Sequence, residues 1–364
     1  MGGVSGAAVE GARAVRAEDA FDVEAVDAWL RSPAAAAAAG PLGDGLPAVR
    51  QFSGGASNLT YLLRYPARDL ILRRPPPGAK AASAHDMRRE HDVQAALRPV
   101  FRYVPGMVGL CADHDVLGTD FYVMERVEGT ILRKEVPPEL GLDAAAARRL
   151  SESVVDRLVD LHAVDPAAAG LERLGRGPGY VRRQVEGWSQ RYRDARTPRA
   201  PSCERVMAWL ADRQPADAGA CVIHNDFRLD NVVLAPGDPQ RIVGVLDWEM
   251  ATVGDPLMDL GGALAYWVQA DDDRVMRLLR RQPTHAAGML TRAEVVERYA
   301  ERSGRPVGDW AFYEVFGLLR LAVIVQQIYR RYALRQTRNP AFRHFWLAVR
   351  YLDHRCGRVI RAAG

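Results

Sequence analysis

Lysine is almost absent from this sequence of 364 residues. Lys80 and Lys134 are the only two lysines, and arginine supplies all the other permanent positive charge. We therefore expect arginine to fill any role that lysine commonly has in a binding site. The formal net charge of +4 is too weak to indicate binding to nucleic acid, so no nucleic-acid partner is predicted.

Cysteine is scarce, and long apolar runs are missing. The four cysteines stand far apart and form no CxxC or Cys/His metal spacing, so buried, reduced thiols are expected. The best candidate for a membrane span, residues 316–328, is interrupted by Arg320 and two glutamines and is shorter than the ~18 residues that a span needs. The first residues lack the order of a secretory signal. We predict a cytoplasmic protein with no membrane partner and no evident obligate protein partner.

Length and composition allow two domains, or one domain with two lobes. Apolar residues make up 48% and charged residues 26% of the chain, which is typical of a globular protein. Residues 1–18 are small, polar and unpatterned, and we predict a disordered leader there. The rest of the chain is predicted to divide into an N-terminal lobe, residues 19–127, and a C-terminal lobe, residues 128–364.

The N-terminal lobe is predicted to contain a sheet. After an amphipathic helix that follows Phe21, strand-forming residues occupy five segments, at residues 49–52, 59–65, 69–73, 108–111 and 121–127. A turn is predicted at 116–118, and residues 85–97 are predicted to form a helix between the third and fourth strands. Because the connections are local, neighbouring strands should run antiparallel.

The C-terminal lobe is predicted to be mainly helical. Helices are expected at residues 143–162, 180–194 and 203–212, and again towards the end of the chain. One strand pair interrupts them, at residues 232–234 and 241–246, joined by a turn at 236–239. We therefore expect an α+β fold with a small antiparallel β-rich lobe and a larger α-helical lobe.

The densest polar signal lies just before this strand pair. His224, Asp226 and Asn231 have the spacing His-x-Asp-x-x-x-x-Asn of a phosphoryl-transfer catalytic loop. In such a loop the aspartate orients the attacking hydroxyl group and accepts its proton, and the asparagine binds Mg²⁺. Asp247 follows the strand pair and is the second expected Mg²⁺ ligand. We predict that Asp226 is catalytic and that the cofactors are ATP and Mg²⁺.

With its flanking residues, this motif is similar to a known superfamily. Residues 224–231, Leu-Asp-Trp-Glu at 246–249 and Gly-Asp-Pro-Leu-x-Asp-Leu at 254–260 resemble the aminoglycoside phosphotransferase and choline kinase superfamily. The resemblance covers about residues 45–350 and is closest to the N-terminal kinase domain of certain acyl-CoA dehydrogenase fusion proteins. It implies a protein-kinase-like two-lobe fold and a bracing role for Asp259 beside the catalytic loop. We interpret Asp255 as a helix cap.

The resemblance also implies a nucleotide-binding loop between the first two strands. The residues there are small or polar and would let backbone N–H groups approach phosphates: Ser53, Gly54, Gly55, Ser57 and Asn58. An ordinary hairpin turn would have a similar composition, so this alternative stays open. In the hinge between the lobes, the backbone near Glu125 and Val127 would bind the adenine ring.

Members of this family place a cation on the third strand and pair it with a glutamate on a helix. The third strand here contains no lysine, and Arg73 is the matching cation. Glu90 is the matching carboxylate, with a solvated helix face as its alternative role. Arginine offers a two-pronged fork instead of a point charge, so its contact with phosphates is expected to differ from that of lysine.

The predicted function is that of a kinase that transfers a phosphoryl group from ATP to a hydroxyl group of a small molecule. The fusion-protein branch suggests a hydroxyacyl-CoA or a hydroxy acid as the acceptor. An aminoglycoside O-phosphotransferase is one alternative, although the arginine-rich residues 270–350 favour an anionic or neutral acceptor. A catalytically inactive nucleotide-binding module is another.

Two further alternatives are less consistent with the sequence. Asn225 in place of arginine, and the lack of Ala-Pro-Glu after Asp247, disfavour a protein kinase. A metallohydrolase built on His224 and Asp226 would require further histidines at ligand spacing, and none has it.

Overall fold

The computed structural model describes residues 11–52, 58–76 and 86–364, which divide into two compact units. The first unit extends to Glu128 and also contains Gly244–Glu249, and the second consists of Gly129–Val243 and Met250–Gly364. The chain first passes from one unit to the other between Glu128 and Gly129. This point lies next to the predicted junction between residues 127 and 128. The sequence pattern gave no indication that Gly244–Glu249 would return to the first unit.

The first unit contains six strands and four helices among the described residues. In chain order these are β1 (Ala12–Arg13), α1 (Val23–Arg31), α2 (Ala36–Ala39), β2 (Ala48–Phe52), β3 (Leu59–Arg64), β4 (Asp69–Arg74), α3 (Met87–Leu97), β5 (Met107–Cys111), α4 (His114–Leu117) and β6 (Phe121–Glu125). The strands form one sheet in the order β1-β2-β3-β4-β6-β5, and all neighbours are antiparallel. The predicted antiparallel β-rich lobe is thereby confirmed.

Side-chain alternation along β3 shows how this sheet is covered on both faces. Tyr61 and Leu63 pack with Val26 and Leu30 of α1, whereas Leu62 lies in a second cluster. Successive side chains of a strand point to opposite faces, so neighbouring apolar residues serve two cores. The second cluster includes Met87 at the start of α3. Helices α1 and α3 therefore cover opposite faces of the sheet.

Two elements differ from the prediction. Strand β1 lies inside the predicted leader of residues 1–18, where Ala12 pairs with Phe52 across the sheet. This pairing is non-local, and a two-residue strand has no detectable alternation. Helix α4 occupies the predicted turn, because the Asp113 side chain accepts the N–H group of Asp115 and Gly118 ends the helix at a φ of 73°.

The second unit is mainly helical, as predicted. Its elements in chain order are α5 (Ala144–His162), α6 (Tyr180–Ala195), α7 (Glu204–Asp212), β7 (Cys221–Ile223), β8 (Val232–Ala235), β9 (Asp238–Val245), β10 (Thr252–Gly254), α8 (Pro256–Leu264), α9 (Arg274–Leu279), α10 (Arg292–Ser303), α11 (Trp310–Ala333) and α12 (Phe345–Ala362). The last two residues of β9 belong to the first unit.

Helix α11 lies at the centre of the second unit. It packs against α12, α8 and α6, and it approaches α8 closely where Gly317 meets Gly261. A Cβ atom on Gly317 would lie 2.1 Å from the carbonyl oxygen of Gly261, so no larger residue fits there. By length and composition α11 could cross a membrane, but 61% of its most apolar stretch is buried in the protein, as in the core helix of a water-soluble domain.

Strands β7 and β10 form a pair that sequence reasoning missed. Ile223 pairs with Thr252 and Cys221 pairs with Gly254, in antiparallel register. Both strands are three residues long, which is too short for alternation to identify them. The pairing fixes the chain immediately before His224 and immediately before Asp255.

Candidate functional site

The loop with the His-x-Asp-x-x-x-x-Asn motif connects β7 to β8. It ends in a short 3-10 turn at Leu229–Asn231. Asn225 adopts a φ of 63°, in the left-handed region that asparagine tolerates better than most residues. Its side-chain amide donates a hydrogen bond to the carbonyl oxygen of Met250 at 3.1 Å. This contact and the β7–β10 pairing fix the start of the loop.

Asp259 of α8 braces the loop. Its carboxylate accepts the backbone N–H groups of His224 and Asn225, each at 2.8 Å, and contacts Nε2 of His162 at 3.1 Å. Burial alone would raise the pKa of Asp259, but the hydrogen bonds from His162 and the backbone hold it below the usual range. The bracing role that the family resemblance implied for Asp259 is thus present in the structure.

Asp255 has the capping role that the sequence predicted. Its carboxylate accepts the N–H groups of Leu257 and Met258 at the start of α8. It also accepts the N–H group of Ala218, which ties α8 to the chain before β7. Burial raises the pKa of this carboxyl group above its ordinary value. Asp255 therefore has a structural role.

Asp226 and Asn231 lie in direct contact. The Asn231 amide nitrogen donates to the backbone carbonyl of Asp226 at 2.9 Å and to its Oδ2 at 3.2 Å. Because the amide nitrogen points to Asp226, the amide oxygen of Asn231 points away from it and can act as a metal ligand. The Asp226 side chain is 23% exposed, so an outside molecule can reach it.

Two charged residues inside the motif were not assigned a function from the sequence. Arg228 contacts Oδ2 of Asp226 at 3.1 Å and Oδ1 of Asp230 at 3.3 Å. Burial raises the pKa of Asp230, and the charge of Arg228 opposes that shift. The signal that could have identified them is the concentration of charge within an eight-residue loop flanked by apolar strands.

The first unit brings together Arg73, Glu90 and Asp247. Arg73 on β4 lies 3.3 Å from Glu90 on α3 and 3.2 Å from Asp247, which follows β9. Arg73 lies two residues after Ile71, which packs on the α3 face of the sheet, and strand alternation directs Arg73 to the same face. The cation and the helix carboxylate named from the sequence are thus paired, and Glu90 is buried instead of solvated.

Burial and charge oppose each other in this cluster. Burial disfavours the charge on Arg73, but Glu90 and the other nearby carboxylates outweigh it and raise the pKa of Arg73. Burial also raises the pKa of Glu90, although the positive charge of Arg73 acts in the opposite direction. A permanently charged guanidinium is therefore held in a nearly buried position by carboxylates.

Glu249 belongs to the same cluster, although sequence reasoning gave it no separate role. Its Oε2 accepts a hydrogen bond from Asn58 at 3.3 Å and lies 3.8 Å from Arg73. Its backbone carbonyl accepts a hydrogen bond from Arg89 of α3 at 2.9 Å. Asn58 is buried here. The four other residues predicted for the nucleotide loop lie outside the described residues: Ser53, Gly54, Gly55 and Ser57.

Asp247 lies partly exposed just after β9. Its φ is 69°, and its side chain is 35% exposed. Both hydrogen bonds from Arg73 fall on Oδ1, and a carboxylate has a second oxygen with which to bind a metal ion. The predicted Mg²⁺ ligands, Asp247 and Asn231, offer carboxylate and amide oxygens, which suit Mg²⁺. No group of three or more His, Cys, Asp or Glu side chains with the arrangement of a metal site occurs among residues 11–52, 58–76 and 86–364.

The predicted hinge residues lie apart from this cluster, at the end of β6. The backbone N–H group of Glu125 donates to the carbonyl of Gly106 at 2.8 Å, so it is already used within the first unit. The Glu125 carboxylate pairs with Arg68 at 3.2 Å. Val127 packs against Gly244, where a Cβ atom would lie 2.8 Å from the valine Cγ1. Binding of an adenine ring here stays a prediction.

Comparison with known proteins confirms the resemblance inferred from the motifs. The family model described as "Phosphotransferase enzyme family" (APH) matches residues 48–314. Acyl-CoA dehydrogenase family member 10 of Mus musculus is 33% identical over 325 residues, which are 89% of this chain and 30% of that protein. The chain therefore spans about a third of the length of this curated relative.

Solved structures confirm the kinase-like fold. A Ralstonia eutropha JMP134 protein, provisionally described as an aminoglycoside phosphotransferase, has a TM-score of 0.78 and 29% identity, and the match covers 94% of this chain and 99% of that one. The GDP complex of wild-type aminoglycoside 2'-phosphotransferase-IIIa has a TM-score of 0.55 and 14% identity, over 85% of this chain and 93% of that one. At 14% identity, the similarity to this second structure shows a shared fold and nothing more.

Proposed function

Because the chain belongs to the phosphotransferase enzyme family, whose members act on small molecules, we propose that it transfers the γ-phosphoryl group of ATP to a hydroxyl group of its substrate. The observation that carries this proposal is the contact between Asn231 and Asp226 on a loop that Asp259 braces. Phosphoryl transfer depends mainly on position and on stabilising charge, and a braced loop supplies the first of these.

In the proposed reaction Asp226 binds the acceptor hydroxyl group and takes its proton. The hydroxyl oxygen forms a bond to the γ-phosphorus while the bond from that phosphorus to the bridging oxygen breaks, and ADP leaves with that electron pair. Arg73 stabilises negative charge on the phosphates of ATP, and Glu90 holds the Arg73 side chain in position. Asn231 and Asp247 would hold Mg²⁺, which neutralises phosphate charge when it is bound.

The proposed acceptor is a hydroxyacyl-CoA or a hydroxy acid. Support comes from the relative named as an acyl-CoA dehydrogenase family member. Further support comes from the chain between Glu314 and Asp353, which contains no acidic residue. Its arginines at the end of α11 and beyond are exposed to solvent: Arg330, Arg331, Arg335 and Arg338. A polycationic acceptor would be repelled by such a surface. Cytoplasmic residence, where ATP and magnesium are supplied, is part of the same proposal.

An aminoglycoside acceptor is the second candidate. It is favoured by the likeness to the Ralstonia eutropha protein, which is the strongest of the structural matches described above. The two candidates differ in the charge of the acceptor. The GDP in the other solved structure is bound to that protein and not to this chain. Because GDP is a guanine nucleotide, an assay of this chain should include GTP as well as ATP.

A panel assay tests the proposal. The purified chain would be incubated with Mg²⁺, with ATP or GTP, and with hydroxyacyl-CoAs, free hydroxy acids, choline, simple sugars or aminoglycosides. Mass spectrometry would detect one added phosphoryl group, and the Asp226→Asn variant, with a strongly reduced rate, would serve as the control. We expect a phosphorylated hydroxyacyl-CoA or hydroxy acid with ATP.

Other outcomes would change the proposal in defined ways. A phosphorylated aminoglycoside would favour the second candidate. Clear MgATP binding without any product would favour an inactive nucleotide-binding module over an enzyme. Absence of both binding and product would contradict the roles of Arg73 and Asp247 as well as that of Asp226.

A further inference from the structure

The guanidinium of Arg228 is contacted along one edge and on one face within the catalytic loop. Its Nη2 lies 3.1 Å from Oδ2 of Asp226, and its Nε lies 3.3 Å from Oδ1 of Asp230. The guanidinium carbon lies 4.6 Å from the centre of the Tyr266 ring, which is within cation–π range. Its side chain is only 17% exposed. Two carboxylates and one aromatic ring therefore fix the orientation of this guanidinium.

The same oxygen of Asp226 receives two donors. Arg228 and the amide of Asn231 both approach Oδ2, at 3.1 Å and 3.2 Å. Neither of these contacts uses Oδ1. A carboxylate held at one oxygen by two donors has a fixed plane, so its other oxygen has a defined direction. Oδ2 of Asp226 is therefore the anchored oxygen, and Oδ1 is the oxygen that can act on a substrate.

We propose that Arg228 is a positioning residue, which orients Asp226 so that Oδ1 meets the acceptor hydroxyl group. This inference rests on the proposed phosphotransferase function. Asp230 contacts Nε on the same edge of the guanidinium, so Arg228 cannot rotate away without leaving a carboxylate of low exposure, also 17%, without this partner. Tyr266 supports the flat face of the guanidinium. Arg228 acts through Asp226 and not on the nucleotide.

The competing role for Arg228 is direct contact with the transferred phosphoryl group. That role predicts weaker MgATP binding when the charge is removed. Positioning predicts a loss in kcat with little change in nucleotide affinity, because the base is misplaced while the nucleotide contacts are kept. The two roles therefore differ in whether the loss of kcat is accompanied by a rise in the Kd for MgATP.

The test compares three variants with the full-length wild-type chain. Arg228→Met keeps the length of the side chain but removes its charge, and we expect kcat to fall about 100-fold, the cost of a misplaced catalytic group. Arg228→Lys can pair with one carboxylate at a time, so we expect an intermediate kcat. Asp230→Asn removes one anchor, and we expect a loss of about tenfold. The Kd for MgATP should change less than about twofold in all three.

A matched control is available on the surface of the same unit. Arg193 pairs with Glu204 at 2.8 Å and lies outside the motif. Arg193→Met removes an arginine from an ion pair of similar length, and it should leave both kcat and the Kd for MgATP unchanged. If Arg228→Met does not fold, then Arg228→Lys and Asp230→Asn carry the comparison.

A double-mutant comparison makes the test specific to Asp226. On an Asp226→Asn background, Arg228→Met should change the residual rate less than about twofold, because the group that Arg228 orients has already been altered. A further large loss on that background, or a rise in the Kd for MgATP that matches the fall in kcat, would overturn the inference. An active wild type with an equally active Arg228→Met would contradict this inference alone. A wild type without transfer to any acceptor would contradict the proposed function, and the inference with it.

Discussion

Arg73 contacts Asp247 at 3.2 Å, although 174 positions of sequence separate the two residues. The contact joins the cation predicted to bind phosphates with the carboxylate predicted to bind magnesium. In the proposed complex, Mg²⁺ on Asp247 would bring a second positive charge close to Arg73. The negative charge of the ATP phosphates would offset that repulsion. We therefore expect Mg²⁺ and ATP each to increase the affinity of the site for the other.

Asp247→Asn should weaken the binding of MgATP specifically. The substitution keeps the shape of the side chain but removes the charge that favours a metal ion, so the affinity for MgATP should fall by about tenfold or more, since even outer-shell partners of a metal commonly show 10- to 100-fold effects. The affinity for ATP in EDTA should not fall. Calorimetric titration with and without Mg²⁺ checks this, with Asp44→Asn at an exposed position of the same unit as the control. Equal losses with and without metal would remove Asp247 from the predicted metal site.

Glu90→Gln should destabilise the protein because it removes a negative charge that compensates the buried guanidinium of Arg73. Removing one partner of a buried ion pair costs ~3–5 kcal/mol, and we expect the lower end of that range because Asp247 and Glu249 also face Arg73. Urea unfolding measures the change. Asp92→Asn is the matched control on the same helix, where the side chain is 62% exposed, and it should stay within about 0.5 kcal/mol of the wild type. Equal stability of the two variants would show that the buried pair contributes nothing.

Much of the fold could be predicted from the sequence because its signals are local. The strand-forming residues at 59–65 predict a strand, and the structure has β3 at Leu59–Arg64. A helix is predicted at residues 143–162, and α5 occupies Ala144–His162 with Asp143 as its cap. Each of these features is encoded within a few residues, so propensity and periodicity are sufficient to predict them.

The candidate site could be predicted only in part, because its contacts join distant residues. The motif spacing identified Asp226 and Asn231, which lie only 5 positions apart in the chain. Arg228 has no periodic signal, and its role depends on a tyrosine 38 positions away, at Tyr266. Likewise the return of Gly244–Glu249 to the first unit follows from tertiary packing, which local sequence patterns do not specify.

Asp259→Asn should lower stability in a pH-dependent manner. The pKa of Asp259 is lower in the folded protein than its ordinary value, so its charge stabilises the fold above about pH 4 and that contribution is lost as the pH falls through the lowered pKa. At pH 7 the loss should be about 1.5–3 kcal/mol, the range for hydrogen bonds to a charged group.

The check on this prediction is the difference in unfolding free energy between wild type and Asp259→Asn at several pH values. That difference should be constant from pH 7 to about pH 5 and should shrink below about pH 4. Asp238→Asn, at a position with 49% side-chain exposure, provides the control. A difference that does not shrink in acid would mean that the charge of Asp259 does not stabilise the loop.

Substitutions at Asn225 should separate backbone conformation from side-chain contacts. Asn225→Gly and Asn225→Ala both remove the hydrogen bond to Met250 and the contact with Tyr180. They differ because glycine adopts a φ of 63° freely, whereas alanine pays roughly 1–2 kcal/mol for the left-handed conformation. We therefore expect the alanine variant to be less stable than the glycine variant by about that amount in urea unfolding. Its rate of phosphoryl transfer should also be the lower of the two, since Asp226 directly follows the strained residue. Equal stability and equal rates would show that the left-handed conformation of Asn225 does not constrain the catalytic loop.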